Sequence, residues 1–146
     1  PDLVDRFSDA ALTFSGGGFN HFASALVKEV IDMGLLDDNI HRLRAVYSER
    51  AAAMDLAICE RLADLVDYVK PSGGYYFWLY FPSGLSTTEL LPVAEERGVS
   101  YRPGNAFSES GRFTDFLRLT YTLYEKGELE EGVRRLADAV ASFRHS

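Results

Sequence analysis

At 146 residues, with 47% hydrophobic and 25% charged side chains, the chain is one domain's worth of soluble protein, or one domain plus a flanking piece. A net charge of −7 argues against nucleic acid or an anionic membrane surface as a main partner, since both would be repelled. A single cysteine, Cys59, excludes a disulfide scaffold. No apolar run reaches the roughly 20 residues needed to span a bilayer, and no basic-plus-apolar leader is seen. A reducing, cytoplasmic setting is therefore expected. The chain opens on Pro1 inside a segment that reads as mid-protein, which suggests a piece of something longer.

In chain order, Val4, Phe7 and Ala11 stand at helical spacing within residues 2–12 and predict a short helix. Thr13-Phe14-Ser15-Gly16-Gly17-Gly18-Phe19-Asn20 follows, and three successive glycines predict a shaped loop. A second helix is expected from Asn20 to Met33, with Phe22, Leu26, Val30 and Met33 on one face and Gly34 in the left-handed position beyond its end. The third helix is the clearest. Ile40, Leu43, Tyr47, Ala51, Met54, Ile58, Leu62 and Leu65 make one face, and Arg42, Glu49, Arg50, Asp55 and Glu60 make the other. Asp37 or Asp38 is the expected N-cap. A helix of about 27 residues would be about 40 Å long, more than a small domain needs, so it is expected to span two packed bodies.

Beyond it the period changes. Asp67-Tyr68-Val69-Lys70 predicts a short strand, Pro71-Ser72-Gly73-Gly74 a turn, and Tyr75 to Phe81 an aromatic strand covered on both faces. Ser86-Thr87-Thr88-Glu89 is a capping box that opens a helix to Arg97, with Pro92 as a local conflict. Val99-Ser100-Tyr101 and Phe116 to Tyr121 predict two more strands. The last helix, from Glu125 to Phe143, carries Leu129, Val133, Leu136, Val140 and Phe143 on one face. The fold class is thus α/β, an α+β-like two-layer sandwich: a mixed, largely antiparallel sheet with helices packed against it, preceded by a long interdomain helix.

The residues alone offer little chemistry. His21, His41 and His145 are scattered and lack metal-ligand spacing. The glycine triplet has neither the lysine spacing nor the preceding strand of a nucleotide cradle. Arg118 is the most suggestive residue: it lies in mid-strand between Leu117 and Leu119 and faces away from both. It is either one half of a structural salt bridge, the commoner arrangement, or a fork for a substrate carboxylate. Spacing leaves both open.

Four segments, in order, carry a resemblance that covers nearly the whole chain. They are Ser15-Gly16-Gly17-Gly18-Phe19-Asn20, Pro71-Ser72-Gly73-Gly74-Tyr75-Tyr76-Phe77-Trp78-Leu79, Gly98-Val99-Ser100-Tyr101-Arg102-Pro103-Gly104-Asn105-Ala106-Phe107, and Phe116-Leu117-Arg118-Leu119-Thr120-Tyr121. Together they resemble the C-terminal region of the pyridoxal-phosphate (PLP) dependent fold-type I aminotransferases of class I/II. The 2-aminoadipate-type enzymes and the aminotransferase-like domains of bacterial transcription regulators are the branch most resembled.

The resemblance implies that residues 1–36 end a large PLP-binding domain, 37–66 form a linking helix, and 67–146 form a small C-terminal domain. It implies an enzyme that moves an amino group between an amino acid and a 2-oxo acid, built as a homodimer with a large domain upstream. The alternative is a ligand-sensing domain of a regulator. By resemblance Arg118 binds the substrate α-carboxylate, Gly17, Gly18 and Asn20 lie near an active site, and Tyr76 points toward substrate. The Schiff-base lysine, the aspartate on the pyridine nitrogen and the phosphate-binding residues would lie upstream of Pro1. None of Lys28, Lys70 and Lys126 matches the Schiff-base position. The chain alone is therefore expected to be inactive, without catalytic or cofactor-binding residues of its own.

Overall fold

The computed structural model describes residues 2, 5 and 20–145. The helix expected over 2–12 and the glycine loop over 13–19 fall outside them. The chain divides into two compact units, 1–43 and 44–146.

In the first unit, α1 (His21–Asp32) is capped by Asn20, whose side chain accepts from the Ala23 amide at 3.0 Å. Gly34 takes φ +71° at its end, as the glycine signal predicts. The apolar face expected to pack does not do so among the described residues: Phe22 is 77% and Met33 67% exposed. The next helix, α2 (Leu35–Arg61), starts directly after Gly34, before the expected cap. Asp37 and Asp38 therefore sit in its first turn, where they complement the positive end of the helix dipole instead of capping it.

The second unit holds the core. Ala51, Met54 and Ile58 of α2 are buried along the predicted stripe, joined by Leu62 just past the helix end. Arg50, expected on the outward face, turns inward. It donates to the Thr122 carbonyl at 2.7 Å and pairs with the Glu125 carboxylate, because the approach to the last helix lies against it.

The strand expected over Asp67–Lys70 is reduced to one antiparallel bridge between Asp67 and Tyr80. Its side chains turn back to α2 instead: the Tyr68 hydroxyl donates to Asp55 at 2.8 Å, and Lys70 pairs with the same carboxylate at 2.7 Å. Three strands make the sheet: β1 (Tyr76–Tyr80), β2 (Arg102–Pro103) and β3 (Phe116–Thr120), in the order β1-β3-β2. Both pairings are antiparallel, so the mixed sheet allowed by the sequence is wholly antiparallel among the described residues. Val99–Tyr101 is not a strand; the Val99 amide still bonds the Ala94 carbonyl at the end of α3 (Thr87–Glu96). Pairing begins at Arg102 and stops at Pro103, which has no donor to continue it.

Both α3 and α4 (Lys126–Arg144) pack on one face of this sheet. Ser86 caps α3, which runs unbroken through Pro92. A reciprocal capping box of Glu125 and Glu128 opens α4. Leu129, Val133, Leu136, Ala139 and Val140 of α4 meet Phe77, Leu79, Leu117 and Leu119 of the sheet in one apolar cluster. Each Leu, Val and Phe side chain among them contributes about 1.5–3 kcal/mol on burial.

Among the described residues, Thr87 is the buried residue of polar or charged type. The Thr87 hydroxyl lies 2.9 Å from the Thr114 carbonyl and 2.7 Å from the Phe116 carbonyl, and the Tyr101 hydroxyl donates to the Thr87 carbonyl at 2.6 Å. Thr87 thus ties the start of α3 to the entry of β3. Thr87→Val keeps the shape but strands a buried carbonyl. Thermal unfolding is expected to show a loss of about 1–3 kcal/mol, and Thr87→Ser a much smaller one. Burial pushes the Tyr101 phenol above its ordinary 10.0. A raised folded value means that the stabilisation is complete below pH about 10 and is lost at more alkaline pH.

Candidate functional site

Strand periodicity decides which side chains reach the uncovered face. Phe77, Leu79 and Leu117 are fully buried, so Tyr76, Trp78 and Tyr80 of β1 and Phe116, Arg118 and Thr120 of β3 point the other way. Among the described residues the aromatic strand is therefore covered by helices on one face, a correction to the expectation of two. The helical residues of this unit's core, from Ala51 to Val140, pack on the Phe77–Leu79 side, and the Tyr76–Trp78–Tyr80 row is left half-exposed among the described residues.

On that row the rings pack among themselves. Trp78 stacks on Phe116 with centroids 5.6 Å apart, and Tyr80 stacks on Phe116 at 4.7 Å. Phe107 meets Trp78 edge-on at 5.5 Å. Phe107 is delivered by a 3-10 turn, Gly104–Phe107, that follows β2 directly.

Arg118 lies at the centre of this platform. Its register partners are Trp78 on one side and Arg102 on the other. Its guanidinium carbon is 3.9 Å from the Tyr76 ring centroid and 4.3 Å from that of Phe107. Two aromatic contacts of this kind hold the cation by the ring quadrupoles. Among the described residues, the Arg118 guanidinium has neither a carboxylate partner nor a hydrogen bond.

That sets it apart from the structural arginines. Arg134 donates twice to Glu131 and once to Asp138, Arg135 reaches Glu131 at 2.7 Å, and Arg50 holds Glu125. The two guanidiniums pull the Glu131 carboxyl down to about 2, the mark of a satisfied ion pair. Among the described residues, the salt bridge that spacing made the commoner reading for Arg118 is not formed. What remains is a planar cation fixed by two rings, with donors left for a planar anion such as a carboxylate.

The other sequence-derived candidates divide as follows. Tyr76 is brought against Arg118. Asn20 belongs to the first unit, where its side chain caps α1. Gly17 and Gly18 lie outside the described residues. Sequence reasoning did not single out Phe107 or Arg102. The signal for both was the short segment between Tyr101 and Phe107, where Pro103-Gly104 limits the strand and turns the chain back over the sheet.

No group of His, Cys, Asp and Glu among the described residues could hold a metal ion. No described helix is long and apolar enough to cross a membrane. Nor do these residues fit PLP by themselves. Lys70 is engaged with Asp55 on the helical side of the sheet, Lys28 pairs with Asp32 within α1, and Lys126 opens α4. A cleft of about 330 Å³ lies between Gly98–Ser100 and the start of α4; Arg118 does not line it, and its charged groups Glu131 and Arg135 bond each other.

No family model matches the chain. Individual proteins do. Aromatic-amino-acid aminotransferase 1 of Thermococcus litoralis is 32% identical over 121 residues, which is 83% of this chain and 29% of that protein. The 2-aminoadipate transaminase of Thermus thermophilus is 36% identical over 115 residues, 79% of this chain and 29% of its own. The chain belongs to the fold-type I aminotransferases.

It spans about 30% of these aminotransferase relatives' length and is a partial, C-terminal-like portion of the family fold. Among solved structures, LysN, the alpha-aminoadipate aminotransferase of Thermus thermophilus, superposes with a TM-score of 0.71 at 35% identity, over 83% of this chain and 30% of that one. That aminotransferase carries N-(5'-phosphopyridoxyl)-L-leucine, so a PLP derivative binds within the family. A regulator also matches: the HTH-type transcriptional regulator TauR of Rhodobacter capsulatus is 28% identical over 111 residues, 75% of this chain and 23% of its own.

Proposed function

We propose that this chain is the carboxylate-gripping portion of a PLP-dependent aminotransferase that moves an amino group between an amino acid and a 2-oxo acid. The observation that carries the reading is Arg118: fixed between Tyr76 and Phe107, and without a carboxylate partner among the described residues. Two parallel N–H···O bonds to an α-carboxylate would fix one end of the substrate and so limit how its Cα–H bond can turn. The half-exposed ring platform beside it would exclude water from the bound acid and strengthen those bonds. PLP, held by residues outside this chain, supplies the electron sink for bond breaking at Cα.

In this reading residues 1–36 finish a large domain, 37–66 link, and 67–146 are the small domain. The exposed apolar face of α1 is then surface that the large domain would cover. Gly17, Gly18 and Asn20 border the same active site or that of a second subunit in a homodimer. The setting proposed is cytoplasmic, with the lone Cys59 left reduced.

The TauR-like relatives favour a second reading, in which the same portion senses an amino compound in a regulator. A helix-turn-helix module ahead of the large domain would identify it.

The test compares this chain alone with the full-length protein, each given PLP, an ¹⁵N-labelled amino acid and a 2-oxo acid. The full-length protein is expected to move the label. The isolated chain is expected to move none, and borohydride should trap no pyridoxyl group on Lys28, Lys70 or Lys126. Label transfer by the chain alone, or trapping on any of the three lysines, would refute the assignment.

A further inference from the structure

Among the described residues, Phe113 is the only non-glycine residue with a positive φ, at +64°. There the Cβ of an L-residue crowds the backbone, and for a bulky side chain the conformation is an outlier. Glycine takes such an angle without crowding, as Gly111 does two residues earlier at +68°. The chain is tied down from this point on. The Phe113 carbonyl accepts from the Phe116 amide at 3.1 Å, the Thr114 carbonyl from the Thr87 amide at 2.9 Å, and the Asp115 carbonyl from the Phe81 amide at 2.9 Å. The Phe113 carbonyl also occupies the space that a side chain on Gly104 would need, and Gly104 opens the turn that delivers Phe107. Strained backbone of this kind persists only where its surroundings over-determine it.

The ring is what the strain secures. It stands edge-on to Trp78 with centroids 6.2 Å apart, and edge-on to Phe116 at 5.4 Å. Trp78 thereby has three aromatic neighbours: Phe116 stacked against it, with Phe107 and Phe113 set steeply to it. Phe107 in turn lies over the Arg118 guanidinium. Resting on the function proposed above, we propose that Phe113 is a positioning residue: through Trp78 and Phe107 it fixes the orientation in which Arg118 meets the substrate carboxylate. A bidentate grip needs the guanidinium held within about 10–20° of its productive plane. Without the Phe113 ring, Trp78 can turn into the vacated space and Phe107 follows it, so the fork is presented over a wider range of angles. A glycine at 113 would relax the backbone and lose the ring, so carboxylate binding and stability should part company there.

The experiment uses the full-length protein with PLP bound. Butyrate, an unreactive monocarboxylate, is titrated by calorimetry into the wild type, Phe113→Gly, Phe113→Asn, Phe113→Tyr and Arg118→Gln, with Tm and steady-state kinetics for an amino donor measured beside it. Phe113→Gly is expected to weaken butyrate and raise KM by about three- to tenfold, the worth of the lost ring contacts. Its Tm should stay within about 3 °C of the wild type, because relief of the strain offsets the lost packing. Phe113→Asn, also tolerant of the left-handed region, should behave as Phe113→Gly, and Phe113→Tyr as the wild type. Added to Arg118→Gln, Phe113→Gly should lower kcat/KM no further, since both act through one contact. If the two ringless variants bind butyrate as the wild type does, or bind it more weakly only with a clearly lower Tm, or if the two effects multiply in the double variant, Phe113 is structural. The inference then fails while the Arg118 reading stands. If Arg118→Gln itself leaves butyrate bound as before, the Arg118 reading fails and this one falls with it.

Discussion

Arg118→Gln in the full-length protein is expected to lower kcat/KM for amino donors by about a hundred- to a thousandfold, or about 3–4 kcal/mol of transition-state binding. The magnitude follows from losing two charge-assisted hydrogen bonds to a carboxylate shielded by rings, each worth about 1.5–3 kcal/mol. Lysine at the same position keeps the charge but not the planar fork, so Arg118→Lys should recover only part of the loss. Stability supplies the control. Since no ion pair within the described residues ends on Arg118, the melting temperature should move little, by the loss of two cation–π contacts. A large fall in melting temperature with unchanged kcat/KM would make Arg118 a structural residue after all.

Gly104→Ala should be the most damaging small substitution in the second unit. A Cβ on Gly104 would collide with the Phe113 carbonyl oxygen and stand 2.7 Å from the Phe116 Cβ and 2.9 Å from the Phe116 carbonyl oxygen. Two of these are backbone atoms, which cannot rotate away. The strand carrying Arg118 or the turn carrying Phe107 must shift, at a cost of about 3 kcal/mol. Urea unfolding of Gly104→Ala measures it. Gly73→Ala is the contrast, since its Cβ would meet nothing within 4 Å and should change stability by less than about 0.5 kcal/mol. The same shift would draw Phe107 off the guanidinium, so Gly104→Ala should also raise KM. A glycine far from any reacting atom thereby becomes part of how the arginine is held.

Those two residues also show what was legible in the sequence. Period-two alternation placed Leu117 and Leu119 inward and Arg118 outward, as observed, because one buried face fixes strand register. Steps of three and four picked out the buried side of α4 in the same way, from Leu129 to Val140. The misses have a common cause in tertiary partners that local pattern does not encode. Arg50 lies on the face that the third-helix periodicity calls polar, yet it is drawn in by the Thr122 carbonyl, 72 residues away. Tyr68 and Lys70 are strand-like in composition but bond Asp55, which leaves a single bridge where a strand was expected. The aromatic run of β1 reads as doubly buried because its two rows are equally apolar. The placement of the helical core residues on the Phe77–Leu79 side tells the rows apart, and the Tyr76–Trp78–Tyr80 row is left half-exposed among the described residues. That no carboxylate among the described residues pairs with Arg118 could not be read from spacing, since acidic residues are plentiful and only the fold places them.

The central claim is that Arg118 is kept unpaired to hold a substrate carboxylate. A crystal structure of the full-length protein with PLP and an unreactive α-methyl amino acid tests this most directly. The account predicts both oxygens of the α-carboxylate within about 3.0 Å of the Arg118 guanidinium nitrogens, with Tyr76 and Phe107 still against its faces. An Arg118 salt-bridged to a carboxylate of the protein itself, with the ligand bound elsewhere, would contradict it.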